Sequence, residues 1–323
     1  MRNDARLLLL DRDQVEQLLD PGAVTQAVHE AFVLHSQGEG RNFPVVRERL
    51  AAGGIFGIKS GDVAAQGLLG FKAAGFWPAN RDQGGEPHQA TIMLVDPAIG
   101  RPVCLIDGNT ITTVRTGAAG GLGLQFLAPE NCTDLCIFGT GVQARIQLDF
   151  ALQRITSLRT VRYVTSRGDP DAAFEASFAG RCAMVHASDR DDAVAASRIV
   201  ITATPGKGAL FSAAAVQPGT HLNCVGADTR GKRELPDGLL PRARLFVDDR
   251  EQALRIGEAQ WAPETDCIEL GALLTGAATF RRQPGDITVF DMTGLSLQDL
   301  TVARMLHERA RATTVGTSIA WPW

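Results

Sequence analysis

Lys72 is a charged residue in a segment that otherwise carries no charge. It interrupts residues 70–76, a strand-like stretch of glycine, alanine and phenylalanine. Such a lysine either faces outward from an alternating strand or lies at a cleft between domains. In a cleft it could bind a carboxylate, or transfer a proton if burial lowers its pKa. The sequence leaves both interpretations open.

Arg115 directly precedes residues 116–127, a run of small and apolar residues that we predict to be a helix. A cation at a helix N-terminus opposes the helix dipole, at a cost of roughly 0.3–1 kcal/mol at an exposed site. A bound anion would offset this cost, because a guanidinium binds a carboxylate through two parallel hydrogen bonds. A salt bridge within the protein is the alternative. Arg47 lies in a polar strand, where the pattern alone does not separate binding from solvent exposure.

Asp228 follows residues 221–227, an apolar segment that we predict to be a strand. Open α/β sheets bind ligands just beyond the carboxyl ends of their strands. A carboxylate there is suited to general acid/base work or to pairing with a substrate ammonium group. The alternative is an ordinary turn aspartate, since Gly231 and Lys232 follow.

A glycine-rich turn follows the short apolar run at residues 135–138. Gly139, Gly141 and Ala144 have the spacing G-x-G-x-x-A, which is typical of dinucleotide-binding turns between a strand and a helix. The helix N-terminus offers free N–H groups and a positive dipole end to phosphates. We therefore predict a nucleotide site here. Its candidate residues are Gly139, Thr140, Gly141, Val142, Gln143, Thr204 and Gly226.

The next predicted strand, residues 160–165, ends in Thr165, Ser166 and Arg167. NAD enzymes usually carry Asp or Glu at this position to bind the ribose hydroxyls. Asp169 is close, but Pro170 follows it, so we predict a helix cap there. Thr165, Ser166 and Arg167 could instead contact a 2′-phosphate, which favours NADP(H) modestly over NAD(H).

The elements that must position these residues fall into two patterns. Residues 41–114 contain short apolar or alternating stretches separated by turn residues, at 43–46, 55–58, 68–74, 90–95 and 103–106, which predicts an antiparallel sheet. From residue 134 onward strands alternate with helices, which predicts a parallel, doubly wound sheet. The predicted strands are 134–138, 160–165, 183–187, 198–203, 221–225, 244–248 and 286–291. The predicted fold is thus α/β, with residues 119–299 as a Rossmann dinucleotide-binding domain.

Composition excludes several other classes of protein. The 323 residues carry a net charge of −4 with no lysine or arginine block, which argues against nucleic acid as a partner. No apolar run approaches the roughly 20 residues needed to span a bilayer. The charged start predicts no signal peptide, and hence a cytoplasmic protein. The six cysteines are scattered and the histidines lack ligand spacing, so no metal is expected.

Taken together, these segments resemble the ornithine cyclodeaminase/mu-crystallin family. The resemblance is carried by Gly70-Phe71-Lys72, by Pro87-His88-Gln89-Ala90-Thr91, by Asp107-Gly108-Asn109 through Arg115-Thr116-Gly117-Ala118, by the glycine turn, by Val225-Gly226-Ala227-Asp228 with Gly231 to Leu235, and by residues 286–290 with Gly294 and Gln298-Asp299. It spans nearly the whole chain, and the order of the motifs is far more specific than any single one.

The resemblance implies a discontinuous α+β domain, residues 1–118 and 300–323, for substrate binding and dimerisation. Arg47, Lys72 and Arg115 match positions that hold a substrate α-carboxylate. Asp228 matches the acidic residue near the reacting nitrogen. Asp228 and Lys72 are therefore the catalytic candidates. The nicotinamide would lie close to Gly294 and Leu295, and a homodimer is expected.

The family contains two chemistries. Imine and ketimine reductases use NAD(P)H to reduce a C=N bond of a small amino or cyclic imino acid. Cyclodeaminases convert ornithine to proline and ammonia with resident NAD. The Pro87–Thr91 motif and the absence of a C-terminal extension favour the reductase, whereas Asp228 favours the cyclodeaminase, because mu-crystallin has a serine there. A non-catalytic, nucleotide-dependent binding protein is a further alternative.

Overall fold

A computed structural model describes residues 5–322, and the charged residues 1–4, on which the signal-peptide prediction rests, lie outside this range. The described residues divide into two compact units. Unit 1 contains the chain up to Arg115 together with the residues from Leu295 onward, and unit 2 runs from Thr116 to Gly294. The domain boundaries predicted at 118/119 and 299/300, and the roles of the two domains, stay predictions.

Unit 1 is a mixed sheet covered by helices. Its strands are β1 (Arg6–Leu10), β2 (Arg41–Asn42), β3 (Val46–Arg49), β4 (Ile55–Val63), β5 (Leu68–Phe76), β6 (His88–Val95), β7 (Pro102–Asp107) and β16 (Thr317–Ala320). Their order is β16-β1-β7-β6-β5-β4-β2, with β3 also paired to β4. The pairs from β4 to β7 are antiparallel, as predicted. The predicted strand at residues 43–46 is wrong, because only Val46 of this stretch lies in a strand.

Two helices of unit 1 begin directly after an aspartate that caps them. Asp11 and Asp20 accept hydrogen bonds from the first turns of α1 (Arg12–Leu18) and α2 (Pro21–Ser36). The helix α9 (Ser296–Thr313) packs against α2 and against strands β4, β5 and β6. Leu300, Ala303, Leu306 and Ala310 are buried along one face of α9.

The helix predicted to begin at Thr116 in fact begins eight residues earlier. Helix α3 runs over Gly108–Leu127. The Asp107 carboxylate accepts hydrogen bonds from the N–H groups of Asn109 and Thr110, at 3.3 and 3.0 Å, and so caps the helix at its true start. The expectation of a cation at the helix N-terminus is therefore wrong. Arg115 lies in the middle of α3, where the dipole argument does not apply.

Unit 2 is built on a parallel sheet with helices between its strands, which confirms the α/β prediction. Its strands are β8 (Asp134–Phe138), β9 (Thr160–Val164), β10 (Ala183–His186), β11 (Ile199–Thr202), β12 (His221–Cys224), β13 (Arg244–Val247), β14 (Cys267–Glu269) and β15 (Thr288–Asp291). Its helices are α4 (Val142–Arg154), α5 (Ala172–Ser177), α6 (Arg190–Ala195), α7 (Arg250–Ile256) and α8 (Leu270–Leu274). The strand β14 was not predicted.

The strand order of unit 2 places the glycine turn at a functionally favoured position. The order is β10-β9-β8-β11-β12-β15-β13-β14. From β8 the chain adds β9 and β10 on one side, and it then returns to the other side of β8 with β11 and β12. The carboxyl ends of β8 and β11 form the switch point at which doubly wound sheets bind their ligands. Within residues 5–322, no helix is long and apolar enough to cross a membrane.

Candidate functional site

Unit 1 contains a buried cluster of charges around the Asp299 carboxylate. The Lys72 ammonium lies 2.7 Å from Asp299 Oδ2, and Arg115 Nε lies 3.0 Å from Asp299 Oδ1. Lys72 Nζ also donates to Thr112 Oγ1 at 3.2 Å. All four side chains are buried. The structure therefore brings two of the predicted substrate-binding residues onto one carboxylate, and Arg115 has the salt bridge that was the alternative to a bound anion.

Burial controls the charge states in this cluster. Desolvation lowers the pKa of Lys72 to about 8, although the Asp299 carboxylate opposes the shift. The neighbouring cations Arg115 and Arg47 lower this pKa further. Burial acts to raise the pKa of Asp299, but the surrounding cations, Arg115 foremost, outweigh it and hold this pKa below its usual value. Lys72 is thus a lysine whose charge titrates near neutral pH, held by a carboxylate that stays ionised.

Gln298 leaves one polar atom of this cluster without a partner. Its Oε1 accepts a hydrogen bond from Arg115 Nη1 at 3.1 Å, which fixes the orientation of the amide. The Nε2 atom at the other end of the amide is buried and has no hydrogen-bond acceptor among the described residues. A buried donor without an acceptor is costly. An anionic ligand beside Arg115 would supply the missing acceptor.

Sequence analysis did not assign a role to Asp299, although a signal for it was present. Asp299 precedes Ala303, Leu306 and Ala310 by four, seven and eleven residues, so it lies on the apolar face of α9. A carboxylate on such a face requires a cationic partner. Lys59, which is also buried in unit 1, was missed as well. Arg47 lies half-buried on β3, close enough to affect Lys72 electrostatically.

The glycine turn of unit 2 has the geometry expected of a phosphate-binding turn. Gly139 has a φ of +99°, and a Cβ there would lie 2.6 Å from the Ala203 carbonyl oxygen, so only glycine fits. Around Gly141 a Cβ would meet nothing within 4 Å, which leaves open space beside the backbone. Ala144 is fully buried, as the close packing of helix on strand requires. These are the three roles expected of the G-x-G-x-x-A spacing.

The first turn of α4 has the features of an anion site. No side chain caps its N-terminus at Gly141, and its first residue, Val142, is 59% exposed despite being apolar. The free N–H groups of a thirteen-residue helix therefore face open space, together with the positive end of its dipole. The Thr140 hydroxyl is bonded to the Asp171 carboxylate and lowers its pKa. The residues present thus fit a dinucleotide pyrophosphate.

The turn after β9 differs from the prediction in one detail. Asp171, and not Asp169, caps α5, because its carboxylate accepts from the N–H of Phe174 at 2.9 Å. The Thr165 hydroxyl is engaged within the turn, where it donates to the Asp169 carbonyl at 2.8 Å and accepts from Gly168 N–H at 3.1 Å. Ser166 and Arg167 are exposed at the tip.

Thr204 and Gly226 contact a buried carboxylate that the sequence analysis missed. The Glu234 side chain accepts hydrogen bonds from Thr204 N–H at 2.7 Å, from the Thr204 hydroxyl at 2.6 Å and from Gly226 N–H at 2.8 Å. Burial raises the pKa of Glu234, against these hydrogen bonds. A Cβ on Gly226 would lie 2.4 Å from Glu234 Oε1. These two residues therefore use their donors to hold the loops after β11 and β12, and their predicted contact with a cofactor stays a prediction.

Asp228 lies farther from its strand than predicted. Strand β12 ends at Cys224, four residues before it. The carboxylate is paired with Lys232 Nζ at 2.6 Å and accepts from the Thr229 hydroxyl at 3.2 Å. Its side chain is 37% exposed, so solvent and small ligands reach it. Asp228 thus makes contacts within a turn, and its carboxylate is also accessible. Its catalytic role stays a prediction.

Gly294 lies in a turn that Asp248 organises. Its N–H donates to the Asp248 carboxylate, which also accepts from the Thr293 hydroxyl at 2.6 Å. Gly294 has a φ of +80°, a conformation that favours glycine. Leu295 follows it and is fully buried in unit 1. The predicted contact of Gly294 and Leu295 with a nicotinamide stays a prediction.

Comparisons with known proteins identify the family of this chain. The model of the ornithine cyclodeaminase/mu-crystallin family matches residues 6–314. The chain is 32% identical over 318 residues to the iminosuccinate reductase of Paracoccus denitrificans, covering 94% of this chain and 97% of that protein. It resembles an archaeal alanine dehydrogenase dimer with bound NAD, with a TM-score of 0.91, 30% identity and coverage of 98% and 100% of the two chains.

A second solved structure is similar over nearly the same span of the chain. The Δ(1)-pyrroline-2-carboxylate reductase of Thermococcus litoralis, in complex with NADH and L-proline, has a TM-score of 0.89 and 26% identity, covering 97% of this chain and all of that chain. The family match extends over most of the chain and includes both units. This protein belongs to the ornithine cyclodeaminase/mu-crystallin family.

Proposed function

We propose that this protein is an NAD(P)-dependent oxidoreductase that reduces the C=N bond of a small imino acid. The observation that carries the proposal is the buried cluster of Lys72, Arg115 and Asp299 in unit 1. Its partnerless Gln298 donor adjoins Arg115 and matches a carboxylate ligand. The relatives point the same way, since they include an iminosuccinate reductase and a Δ(1)-pyrroline-2-carboxylate reductase.

Unit 1 contributes the groups that bind the substrate carboxylate. Arg115 offers a planar fork that can hold both carboxylate oxygens, and Lys72 adds a point charge. Arg47, on β3, completes the set of cations that we assign to this carboxylate. Asp299 keeps Lys72 and Arg115 in place, because it contacts both of them directly. Since these groups are already ordered, binding costs little conformational entropy.

Unit 2 contributes the cofactor site and an acidic group. When bound, NAD(P)H supplies a hydride to the imine carbon. Reduction also needs a proton on the nitrogen, and a protonated iminium is the better electrophile. We assign Asp228 to stabilise that positive charge, since its carboxylate already pairs with a cation, Lys232, at 2.6 Å. Lys72 is the alternative proton donor.

We infer a modest preference for NADP(H). The support is the absence of Asp or Glu directly after β9 and the exposure of Ser166 and Arg167 at that turn. A guanidinium there matches a 2′-phosphate, whereas the ribose hydroxyls of NAD would normally be bound by a carboxylate. Thr165 contributes to the shape of the turn rather than to the ligand, since its hydroxyl is engaged within it.

We also infer a homodimer, supported by the dimer of the archaeal alanine dehydrogenase. Light scattering of the purified chain at several concentrations tests this inference. A mass of one chain throughout the range would contradict it.

The decisive experiment for the activity compares reductive and lyase chemistry on one preparation. Oxidation of NADH and of NADPH is followed with 2-oxo acids plus ammonium and with cyclic imino acids. In parallel, ornithine with NAD is assayed for ammonia release. Oxidation with imines and no ammonia from ornithine supports the reductase. Ammonia release from ornithine without net reduction of NAD would identify a cyclodeaminase. Cofactor binding without either reaction would identify a binding protein.

A further inference from the structure

The loop that carries Asp228 is held by a short segment that follows later in the chain. Residues 225–235, which we call the Asp228 loop, come directly after β12. Glu258–Trp261 form a short 3₁₀ turn after α7, and both stretches belong to unit 2. Three side chains of this turn, those of Glu258, Gln260 and Trp261, form hydrogen bonds with the backbone of the loop. The turn thus acts on the loop through its side chains.

Gln260 bridges two successive residues of the loop with the two ends of its amide. Its Oε1 accepts from Gly231 N–H at 2.8 Å, and its Nε2 donates to the Lys232 carbonyl at 3.3 Å. The same Nε2 donates to the Gly257 carbonyl at 2.7 Å, directly before the turn. An amide suits this position because it offers an acceptor and a donor side by side. Gln260 therefore fixes the loop backbone at Gly231 and Lys232.

Trp261 adds a second hydrogen bond to the same carbonyl. Its Nε1 donates to the Lys232 oxygen at 2.9 Å, although 46% of the tryptophan is exposed. The Arg233 guanidinium lies over its ring, with 5.3 Å between the guanidinium carbon and the ring centroid, which is within the range of a cation–π contact. Trp261 therefore contacts the loop through both its ring and its N–H group.

The 3₁₀ turn is itself anchored at the carboxyl end of β15. The buried Asp291 carboxylate accepts from Ala259 N–H at 2.9 Å. A Cβ on Gly257 would lie 2.4 Å from Asp291 Oδ2, so this close approach requires glycine. Glu258, which is also buried, accepts from Glu234 N–H in the loop at 2.6 Å. The Asp228 loop is thus connected, through the turn, to a strand inside the parallel sheet.

Asp228 lies three residues before the point at which Gln260 holds the loop. Lys232 N–H donates to the Thr229 carbonyl at 3.0 Å, which closes the backbone turn directly after Asp228. A shift of the backbone at Gly231 and Lys232 would therefore shift Asp228 as well. Displacing a reacting group by about 1 Å can cost about 10²-fold in rate, so the position of this loop matters for catalysis.

We propose, on the basis of the role proposed above for Asp228, that Gln260 is a positioning residue that holds the Asp228 carboxylate in its reactive position. Trp261 supports the same loop through its bond to the Lys232 carbonyl. Gln260 exchanges no proton with the substrate and acts only through the loop backbone. Its contribution therefore belongs to kcat, and it depends on the charge of Asp228.

The test is a double-mutant cycle between Gln260 and Asp228 in the purified full-length protein. Gln260→Met keeps the length of the side chain and removes both of its bonds to the loop. It should lower kcat for imine reduction by about tenfold, while KM for the imine and the Kd of NAD(P)H stay within about threefold. In the Asp228→Asn background, Gln260→Met should lower kcat by less than about twofold. A purely structural role would lower kcat equally in both backgrounds.

Two further variants and one local measurement sharpen the test. Gln217→Met removes a half-buried glutamine of the same unit, which donates to the Ala215 carbonyl at 3.1 Å, and it should leave kcat unchanged. Trp261→Phe keeps the ring and removes the N–H donor, and it should lower kcat by about threefold. Amide hydrogen exchange of peptides from residues 225–235 should be about fivefold faster in Gln260→Met than in wild type or Gln217→Met.

The possible failures are distinguishable. A near-normal kcat in Gln260→Met, or an equal loss in both backgrounds, would overturn this inference while the reductase stands. A near-normal kcat in Asp228→Asn would overturn the role of Asp228 and this inference with it. No reduction of any imine would overturn the proposed function, and hydrogen exchange then decides the inference. Faster exchange in Gln260→Met would support a loop held by Gln260, and unchanged exchange would refute it.

Discussion

The Lys72 ammonium and the Asp299 carboxylate form an ion pair of 2.7 Å in which both side chains are buried. The two residues come from β5 and α9, at opposite ends of the chain, and belong to one unit. Breaking a buried pair by removing one partner leaves an uncompensated charge, which typically costs about 3–5 kcal/mol. The pair is therefore a structural requirement of unit 1 as well as a candidate for chemistry.

The pKa of Lys72 predicts an alkaline limb in the pH profile. Its folded pKa of about 8 lies below the usual lysine value, so the cation that binds carboxylate is lost as pH rises through about 8. We expect kcat/KM for the imino acid to fall above this pH. The limb in kcat should lie higher, because a bound anion favours the charged lysine. Steady-state kinetics from pH 6 to 10 measures both. A flat kcat/KM profile across that range would contradict the binding role.

Asp299→Asn should move this limb to lower pH. The Asp299 charge raises the pKa of Lys72, and the amide keeps the shape without the charge. The protein should also unfold at a lower temperature, since the buried cations Lys72 and Arg115 then lose the charge of the carboxylate that both contact. Asp96→Asn, in an exposed turn, serves as the control. An unchanged limb in Asp299→Asn would show that Lys72 is not the group that titrates.

Arg115→Ala should raise KM for carboxylate substrates strongly and change cofactor affinity little. Arg115→Lys should recover little, because a point charge cannot replace the guanidinium fork or its bonds to Asp299 and Gln298. Kinetics with the imino acid are measured beside a cofactor titration. A KM within about threefold of wild type, equivalent to ~0.65 kcal/mol of binding free energy, would show that Arg115 does not bind the substrate carboxylate.

Arg167→Ala tests the preferred cofactor. NADPH should bind more weakly, while NADH should be nearly unaffected, because Arg167 is exposed at the turn after β9 where a 2′-phosphate would lie. The test measures dissociation constants of NADPH and NADH for wild type and Arg167→Ala. Arg159→Ala, near the start of the same strand, is the control. A wild type that prefers NADH by about tenfold, ~1.4 kcal/mol, would refute the preference.

Asp228→Asn should lower kcat by at least about 10²-fold while cofactor binding is retained, in the range of a positioned acid or base. The amide preserves the shape and removes the charge that would stabilise an iminium. Because this change also breaks the Asp228–Lys232 pair, Lys232→Met is the matched control and should affect kcat much less. A near-normal kcat in Asp228→Asn would show that Asp228 is only a turn residue, and the proton would then come from Lys72 or water.

Sequence analysis succeeded where structure depends on neighbours along the chain. The strand-turn-helix around Gly139 follows from a short apolar run, a glycine that can adopt positive φ and a helical pattern after it. Alternation of strands and helices was enough to predict the parallel sheet. In each case the interacting groups lie within a few residues of one another.

The wrong predictions concern helix starts at which more than one residue could serve as the cap. Residues 108–115 belong to α3, although their polar and β-branched side chains have low helix propensity. Asp107 caps this helix, and not a residue near Arg115. Asp169 before Pro170 is a good cap by composition, yet Asp171 is the residue whose carboxylate reaches the first turn of α5. Both candidates satisfy the same rule, and backbone geometry selects one.

Only the tertiary structure determined the charge cluster of unit 1. The Asp299 carboxylate is separated from Arg115 by 184 residues, so no local pattern joins them. Lys59 and Lys72 come together because β4 and β5 pair in one register, and a shift of one residue would turn one of them to the other face. The sequence supplies these residues and the elements that carry them. Which charges share a buried face depends on how a sheet and a distant helix pack, because that packing sets both the distances between the charges and their loss of solvent.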